Sequence, residues 1–567
     1  MKRLVSILAV ICLVCSFAAL FSVSTAAAKP EVWDGKRATG FAGGSGTAED
    51  PWQISNGKEL AYMQYLFCNT VLKDWLPYEE TYGGDYFVLT NDIYMNDVSN
   101  FDNWGLKDKA PKNQWTKAIG RNGYALMSGT FDGKGHTIYG LYQVFTDELG
   151  GGFIAACGQK AVVKNVNLDK CLMYLTGRSG MLGGFDAGAT VSNCHVNGKI
   201  VCYQKGGRSI GGICGELTRG AVLENCTFRG SIEGEARLAG GIVGSIGAGG
   251  SGEDANISSY VRNCINYGTI NMNNTEVGGI CGTLGNARCY GTIENCLNVG
   301  SVKGKSAVGG LVGVIGISTK DDAQPDGRKP ETKIQNCVNV GKVTAEEGAG
   351  ALIGSTAKPE DTKQTVKNCY ADGSVCSVPE VGSDTYGLMK TGELKKLASS
   401  QMSGKGAVAA MKLDSGIWQD VDGYYPVIKA IHAAGRTIIG KIGADTPNNS
   451  GGNTSSSGNT SGTPNNSGNK TPGKPNSSGG TSGGDSVTDP ENSDGESGLD
   501  IPPDVSGEDD ILPDNDSSLS GDVEPAGRSG SLVWLWIVLG VAVLGTGGVC
   551  VWYFVIRKKN MDEVIDK

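Results

Sequence analysis

Residues 191–200 read Val191-Ser192-Asn193-Cys194-His195-Val196-Asn197-Gly198-Lys199-Ile200, and the same pattern recurs along the chain. An aliphatic residue and a polar residue precede Asn-Cys, and a glycine follows four residues after the cysteine. Asn165 begins the series but is followed by Val166 instead of cysteine. The pattern asparagines advance by 28, 32, 38, 32, 41 and 32 residues, at positions Asn165, Asn193, Asn225, Asn263, Asn295, Asn336 and Asn368. Recurrence at this spacing indicates structural units that stack on one another.

A second, glycine-rich pattern alternates with the first. It reads Gly211-Gly212-Ile213-Cys214-Gly215 and returns at 240–244, 278–282, 309–313 and, more loosely, 350–354. Each unit thus contains two short β-prone runs separated by glycine turns, and no unit has a helical apolar period. Runs this short cannot bury a face alone. We therefore predict an all-β chain in which successive units stack as a parallel β-solenoid.

The Asn-Cys pattern predicts a bend in every unit. In a straight strand, residues three apart such as Val191 and Cys194 would point to opposite faces. Both are typical core residues, so the chain must turn at Asn193, a residue type that tolerates the left-handed conformation. Stacked asparagines could also bond to one another along the axis. The expected structural ladder comprises Asn193, Asn225, Asn263, Asn295, Asn336 and Asn368, with Cys194, Cys226, Cys264, Cys296, Cys337 and Cys369.

The 17 cysteines raise the question of disulfides. Cys214 and Cys281 occupy a position held by valine or isoleucine in other units, which indicates that these thiols serve as small apolar groups. Neighbours in an in-register stack lie about 4.8 Å apart, beyond the usual Cβ separation of a disulfide. We therefore expect a reduced ladder of thiols, and we expect neither a metal nor a cofactor.

These repeats resemble the GLUG-motif repeat proteins of bacterial cell surfaces. Gly310-Leu311-Val312-Gly313 spells the motif, and residues 41–55, 86–93, 129–138 and 418–428 also look familiar from such proteins. The resemblance implies a right-handed parallel β-helix in an exported bacterial protein. It implies much less about activity, because the family includes adhesin-like proteins and the flanks of IgA-type metallopeptidases.

Both ends of the chain predict export and membrane attachment. Residues 1–28 have the basic, apolar and small-residue order of a signal peptide. Residues 531–556 form a long apolar segment, and about 20 residues suffice to cross a bilayer as a helix. The following Arg557-Lys558-Lys559 places residues 557–567 in the cytoplasm. We therefore predict a single-pass protein of the cell membrane with an extracellular N-terminus.

The charge of the chain is concentrated in a linker that precedes this segment. Residues 441–530 are rich in Ser, Gly, Asn and Pro, a composition typical of disorder. They contain 15 acidic and 4 basic residues, a net charge of −11, whereas the whole chain carries −9. The remainder is thus nearly neutral and shows no basic patch, so we do not expect a nucleic-acid partner.

Four further segments are expected between the ends. Residues 29–80 form an N-terminal capping segment, in which Asn56 and Glu59 have the spacing of a helical capping box. Residues 81–150 form the first β-helix coils, and residues 151–380 form the GLUG-type repeats. A C-terminal cap is expected over 381–440, with a helical candidate from Glu393 to Met402.

No residue can be assigned a catalytic role. The three histidines, His136, His195 and His432, are scattered and form no HExxH motif. A glycoside hydrolase or lyase would need clustered carboxylates. The candidates on the early coils are Asp85, Asp92, Asp97, Asp102 and Asp132, of which Asp132 precedes glycine as turn residues do. An enzyme is therefore the less favoured hypothesis.

Two long connections are the candidate binding loops. Ser245 to Tyr260 and Val314 to Lys333 leave the same corner of the solenoid two units apart. Variable loops on a rigid scaffold often carry recognition, although they are equally expected as tolerated insertions. The leading hypothesis is an adhesin-like module that binds an extracellular glycan or protein. A polysaccharide-acting enzyme and a purely structural surface component are the alternatives.

Overall fold

The computed structural model describes residues 30–69, 84–120, 127, 129–145, 150–158, 160–202, 209–247, 257–286, 291–317, 331–356, 363–384 and 393–439. The expected signal peptide, linker, membrane span and cytoplasmic tail lie outside these residues. Within the described residues, no helix is both long and apolar enough to cross a bilayer.

Sheet 1 is a ten-stranded series in which every neighbour is parallel. It contains one strand per coil, at Trp52–Ile54, Tyr86–Leu89, Thr130–Asp132, Val162–Lys164, Thr190–Ser192, Val222–Glu224, Ser259–Arg262, Gly291–Glu294, Glu331–Gln335 and Lys363–Lys367. Its register aligns the repeats: Val191 pairs with Leu223, and Leu223 pairs with Val261. All three side chains are buried, so the aliphatic position of each repeat forms one apolar column.

Sheet 2 follows the bend at the repeated asparagines from Asn165 to Asn368, here called the asparagine corner. It has 18 parallel strands, because most coils contribute two. They are Ile93–Tyr94, Thr137–Tyr139, Tyr142–Val144, Asn167–Leu175, Arg178–Gly180, His195–Cys202, Ser209–Gly211, Thr227–Gly234, Leu238–Gly240, Ile265–Asn266, Thr269–Met272, Val277–Gly278, Leu297–Asn298, Val302–Gly309, Val338–Asn339, Val343–Gly350, Cys369–Asp372 and Leu394–Leu397.

Sheet 3 follows the turn at the glycine-rich pattern, residues 211–215 and their later copies, here called the glycine corner. It forms the third wall of each coil. Its eight parallel strands are Ile154–Cys157, Gly183–Ala187, Cys214–Thr218, Val243–Ile246, Cys281–Asn286, Val312–Ile317, Ile353–Thr356 and Val381–Ser383. One antiparallel pair, Trp418–Val421 with Tyr424–Ile428, lies outside the three sheets. The predicted all-β chain of stacked parallel strands is confirmed.

The glycine corner requires glycine because the backbones of successive coils approach closely. A Cβ atom on Gly215 would lie 2.4 Å from the backbone nitrogen of Ser179, and one on Gly212 would lie 2.2 Å from the carbonyl oxygen of Gly241. Ile213, between them, is fully buried. The repeated pattern therefore combines two close backbone contacts with one core side chain.

A buried asparagine ladder inside the solenoid was not anticipated. Asn266 Nδ2 donates to Asn298 Oδ1 at 2.8 Å, and Asn298 Nδ2 donates to Asn339 Oδ1 at 2.8 Å. All three side chains are fully buried. Each also holds the glycine two residues later, as in the 2.9 Å bond from Gly268 N to Asn266 Oδ1. The ladder satisfies the polar groups that this interior position buries.

The first coil is covered by the helix Gly57–Asn69, as the capping-box spacing predicted. Asn56 Oδ1 accepts hydrogen bonds from the backbone nitrogens of Lys58 and Glu59 at the first turn. Glu59 Oε2 reaches back to the nitrogen of Ser55 at 2.6 Å. Leu60, Met63 and Phe67 on this helix are buried in the solenoid core.

The predicted helix from Glu393 to Met402 is wrong. Leu394–Leu397 is a strand that pairs in parallel with Cys369–Asp372, and Ser399–Gln401 is one 3-10 turn. The last coil presents unpaired backbone groups at its edge, and pairing with this strand satisfies them. Two short helices, Ala407–Ala410 and Lys429–Ala433, follow.

Candidate functional site

One outward-facing column of sheet 2 changes character along the solenoid. Its register runs, one residue per coil, through Thr137, Asn167, His195, Thr227, Ile265, Leu297, Val338 and Tyr370, here called the outer column. The first four residues are polar and the last four are apolar. The following residues in the early coils, such as Leu168 and Val196, point inward and are buried in the core.

The apolar half of the outer column is covered by the chain's own C-terminal segment, residues 398–439. Ile265, Leu297, Val338 and Tyr370 share a second apolar cluster with side chains of that segment. Those side chains are Met402, Ala407, Val408, Met411, Leu413, Trp418, Tyr424, Tyr425, Val427, Ile428 and Ile431. The segment expected to cap the end of the solenoid therefore also packs against its side, because outward-facing apolar residues need burial.

Buried hydrogen bonds fix the segment to the last coil. Asp372 Oδ2 accepts from Tyr425 Oη and from Ser399 Oγ, each at 2.6 Å. Asp372 is fully buried. Burial and the neighbouring Asp372 carboxylate raise the pKa of Tyr425, so the phenol remains a hydrogen-bond donor at neutral pH.

A cleft of about 370 Å³ opens where the segment reaches the polar half of the outer column. Ala430, Ile431 and Ala434 form an apolar wall, and Arg436 lies beside them. The opposite wall comes from the asparagine corner and the first residues of sheet 2. It is lined by Gly135, Asn165, Asn167, Asn193, His195 and Asn225, so none of the described residues that line the cleft carries a carboxylate.

The asparagine corner provides the amides of the cleft. Asn193 and Asn225 adopt φ values of 53° and 54°, in the left-handed region, which turns the chain between sheets 1 and 2. Asn193 Nδ2 donates to Asn165 Oδ1 at 3.3 Å, and Asn165 Nδ2 donates to Asp132 Oδ1 at 2.9 Å. In the described structure, the Oδ1 atoms of Asn225, Asn263 and Asn295 accept no hydrogen bond. The amide chain is thus continuous on the early coils and interrupted further on.

The imidazole ring of His195 lines the cleft between these amides and Arg436. Its Nδ1 lies 2.9 Å from Thr227 Oγ1, and the described residues give Nε2 no hydrogen-bond partner. Burial, with the nearby charges of Arg436 and Arg229, lowers the pKa of His195 to about 3. The imidazole is therefore neutral at physiological pH, with one donor and one acceptor nitrogen.

Two arginines flank the cleft. Arg229 Nη2 donates to the backbone carbonyl of Arg436 at 2.6 Å, and the guanidinium lies 5.6 Å from the Tyr267 ring centroid. Among the described residues, neither Arg229 nor Arg436 forms an ion pair with a carboxylate. The segment that bounds the cleft is thus held by an arginine whose charge is not neutralised by direct contact.

The strand His195–Cys202 extends the polar surface away from the cleft. Alternate residues face outward, and Asn197 Nδ2 donates to Asp169 Oδ1 at 2.7 Å. Lys199 Nζ lies 5.1 Å from the Phe101 ring centroid. Phe101 begins a series of edge contacts that continues through Trp104, Tyr142 and Tyr174. Polar and aromatic groups therefore follow one another over about 20 Å of strand.

Asp132 is held as a structural carboxylate. Although burial raises its pKa, hydrogen bonds from Asn165 and Lys134 and the charge of Lys134 lower the pKa below its ordinary value. Lys164 Nζ also lies 3.7 Å from Asp132 Oδ2. An ionised carboxylate in this setting cannot serve as a general acid at neutral pH.

The structure gives the other four candidate carboxylates separate local roles. Each has its own partner: Asp85 accepts from Trp52 Nε1 at 2.7 Å, Asp92 from Thr137 N at 2.9 Å and Asp97 from Ser99 N at 3.1 Å, while Asp102 lies 3.9 Å from Lys199 Nζ. None of the four lines the cleft. These four carboxylates therefore do not face one another across the cleft.

The cysteine column lies in the core beside the asparagine corner. All six thiols are buried, and the described cysteines are free. Cys296 N donates to Cys337 Sγ at 3.4 Å, and Cys264 Sγ contacts the carbonyl oxygen of Arg262 at 3.2 Å. Burial raises the pKa of the Cys194 thiol well above its ordinary value, which leaves it protonated and unreactive. The described residues contain no cluster of His, Cys, Asp and Glu suited to a metal ion.

The two candidate loops fall largely outside the described residues. Their first residues belong to sheet 3, where Ser245 pairs with Thr283 and Thr283 pairs with Val314, two coils apart. Their last residues, Tyr260 and Lys333, belong to sheet 1. Residues 248–256 and 318–330 are not described. The loops begin at the end of sheet 3, whereas the cleft lies at the corner between sheets 1 and 2.

Sequence reasoning missed the cleft because one wall comes from residues far away in the chain. The repeats identify Asn193 and Asn225 as ladder residues, whereas Ala430 to Arg436 belong to no repeat. A signal was nevertheless present: Ile265, Leu297, Val338 and Tyr370 are apolar although they face outward from the solenoid core. Such a column indicates that another part of the chain covers it.

Comparison with protein-family models finds the repeated motif in part of the chain. Residues 206–233 match the model of the GLUG motif. A solved structure described as a "putative immunoglobulin A1 protease from Bacteroides ovatus" is similar at 18% sequence identity and a TM-score of 0.36, over 69% of this chain and 95% of that chain. No curated protein matches the sequence. The chain is therefore a β-solenoid that carries the GLUG motif.

Proposed function

We propose that the chain is a surface protein whose β-solenoid binds an extracellular glycan in the cleft beside His195. The observation that carries this proposal is the composition of the cleft. Its polar wall consists of the amides of Asn165, Asn167, Asn193 and Asn225 with a neutral imidazole. These groups donate and accept hydrogen bonds without requiring a charged ligand, which suits the hydroxyl groups of a sugar.

The shape of the cleft supports the same ligand class. Binding sites for small ligands are concave, with an apolar surface and a few convergent polar groups. Ala430, Ile431 and Ala434 supply an apolar wall for one face of a sugar ring, and the asparagine corner supplies the polar wall. The outward residues of His195–Cys202 then offer contacts for further rings of an oligosaccharide.

The residues of the cleft favour binding of a glycan over its hydrolysis. Among the described residues, no carboxylate lines the cleft, and Asp132 is engaged by Asn165 and Lys134. Hydrolysis by the usual route needs two carboxyl groups on either side of the scissile bond. We therefore place the protein with adhesin-like binding modules.

The sequence supplies the cellular setting of the proposal. A signal peptide over 1–28 and an apolar span over 531–556 would hold a right-handed β-helix outside the cell membrane. The acidic linker 441–530 would separate the binding module from the bilayer by roughly 50 Å as a flexible coil. An extracellular glycan would then reach the cleft without approaching the membrane.

A glycan array probed with residues 29–440 tests this function. The decisive variant is Ala434→Trp, which narrows the cleft at its apolar wall and leaves every polar group of the site in place. Ala433→Trp is the matched control, because Ala433 is exposed and adjacent but does not line the cleft. We expect saturable binding by the parent and by Ala433→Trp, and its loss in Ala434→Trp.

Two results would contradict the proposal. Absence of binding to every glycan would exclude the carbohydrate ligand. Undiminished binding by Ala434→Trp would place the binding surface outside the cleft.

A further inference from the structure

The charge around the cleft is not balanced by direct contacts. Arg436 lines the cleft, and the Arg229 guanidinium donates a hydrogen bond to the backbone carbonyl of Arg436. The described residues place no carboxylate within ion-pair distance of either guanidinium. Both arginines are partly exposed, so the Arg436 guanidinium at the cleft is accessible to an anionic group of a ligand.

The remaining charges nearby do not cancel the two guanidinium groups. Asp169 acts on Arg229 through space, but its Oδ1 accepts a hydrogen bond from Asn197. His195 contributes no charge at neutral pH because it is neutral there. The cleft therefore combines neutral amides with one positive group at its edge.

We propose that the glycan bound in the cleft carries a carboxylate, which the Arg436 guanidinium receives while the asparagine amides hold the ring hydroxyls. This inference rests on the proposed function and narrows it to acidic saccharides. Guanidinium binds carboxylate with two parallel hydrogen bonds, which fixes orientation as well as adding affinity. A uronic acid and a sialic acid share this chemistry, a carboxylated pyranose ring.

The geometry also assigns a direction to the rest of the ligand. From His195, the outward residues of the strand are Asn197 and then Lys199, and they lead toward the ring of Phe101. With the acidic ring at Arg436, further rings would follow this strand and reach the aromatic side chains. The acidic residue is thus expected at one end of the bound oligosaccharide.

Calorimetric titration of the full-length chain with matched sugar pairs tests the inference. One pair is trigalacturonate and its methyl ester, and the other is 3′-sialyllactose and lactose. We expect one acidic sugar to bind at least about tenfold more tightly than its neutral counterpart, as for a charged hydrogen bond. Whichever pair shows the preference identifies a uronic or a sialic acid as the source of the carboxylate.

Two substitutions connect the preference to Arg436. Arg436→Gln should abolish the preference while the neutral sugar binds as before, and Arg436→Lys should restore part of it. Lys405→Gln removes one charge from an exposed position of the same C-terminal segment and should leave the preference intact. The parent's preference should also weaken as salt concentration rises.

The outcomes separate the two proposals. If the acidic and neutral sugars of a pair bind with equal affinity, the carboxylate inference is overturned. If Ala434→Trp then abolishes binding of both sugars, the glycan site itself is supported. A preference that persists in Arg436→Gln would also overturn the carboxylate inference. Failure of both pairs to bind would count against the glycan site itself.

Discussion

Arg229 Nη2 donates a 2.6 Å hydrogen bond to the backbone carbonyl of Arg436, a residue 207 positions later in the chain. Arg229 belongs to a sheet 2 strand, and Arg436 belongs to the C-terminal segment that packs over the outer column. Tyr267 lies beneath the same guanidinium. This contact holds the apolar wall of the cleft against its polar wall.

Removing the Arg229 side chain should therefore loosen the end of the C-terminal segment. In Arg229→Ala, we expect faster amide hydrogen exchange over residues 431–439 and little change in the solenoid strands, because opening is local. Arg262→Ala is the control, since it breaks an ion pair with Glu224 on sheet 1. Unchanged exchange over 431–439 in Arg229→Ala would show that the contact does not hold the segment.

His195 should make the fold less stable in mild acid. Burial keeps its pKa near 3, below the ordinary value of 6.5, so the unfolded chain binds a proton that the folded chain excludes. Stability then falls as the pH decreases from about 6.5 toward 3. We expect a lower unfolding midpoint at pH 5 than at pH 7, measured by thermal denaturation.

The variant His195→Thr checks the source of this dependence. Threonine occupies the paired position 227 in the next coil, so the substitution fits the column. Its unfolding midpoint should change less between pH 7 and pH 5 than that of the parent. An equal change in both proteins would assign the dependence to other groups.

The interior asparagine ladder should be a major source of stability. Asn298 accepts from Asn266 Nδ2 and donates to Asn339 Oδ1 and to the Gly300 carbonyl. In Asn298→Ala, the buried side chains of Asn266 and Asn339 each lose a hydrogen-bond partner. We expect this to lower the unfolding free energy by about 3 kcal/mol or more. Asn271→Ala, at an exposed position of sheet 2, should change it by less than about 0.5 kcal/mol. Similar unfolding free energies for the two variants in chemical denaturation would contradict the role of the ladder.

The cysteine column should be reduced and protected. Each of its thiols is fully buried in the solenoid core, at Cys194, Cys226, Cys264, Cys296, Cys337 and Cys369. In the folded protein, iodoacetamide should label these six positions very slowly. After unfolding without reductant, mass spectrometry should find all six labelled. Cross-linked peptides between column positions would show that the column contains disulfides.

Much of the solenoid could be predicted because each repeated residue marks one coil. The spacing from Asn193 to Asn225 identifies the coil length, and Val191 and Leu223 pair accordingly. The helix Gly57–Asn69 was also predictable, because Asn56 and Glu59 provide its local start signal. These features depend on periodicity or on contacts close in sequence.

The remaining features depend on contacts that no repeat encodes. Glu393 to Met402 looked helical locally, but the edge of the last coil recruits Leu394–Leu397 as a strand. The cleft requires Arg436 to reach the coil of Arg229, and local sequence contains no signal for that approach. In the sequence, the buried ladder is visible only as Asn-x-Gly after Cys264, Cys296 and Cys337, a pattern that also fits an ordinary turn.

A crystal structure of the protein soaked with the tightest-binding oligosaccharide shows whether a sugar occupies the cleft. We expect a sugar ring between Ala434 and the asparagine corner, with ring hydroxyls bonded to the amides of Asn165 and Asn193 and to the neutral imidazole of His195. Ligand density over another surface of the solenoid, with the cleft beside His195 unchanged, would contradict this expectation.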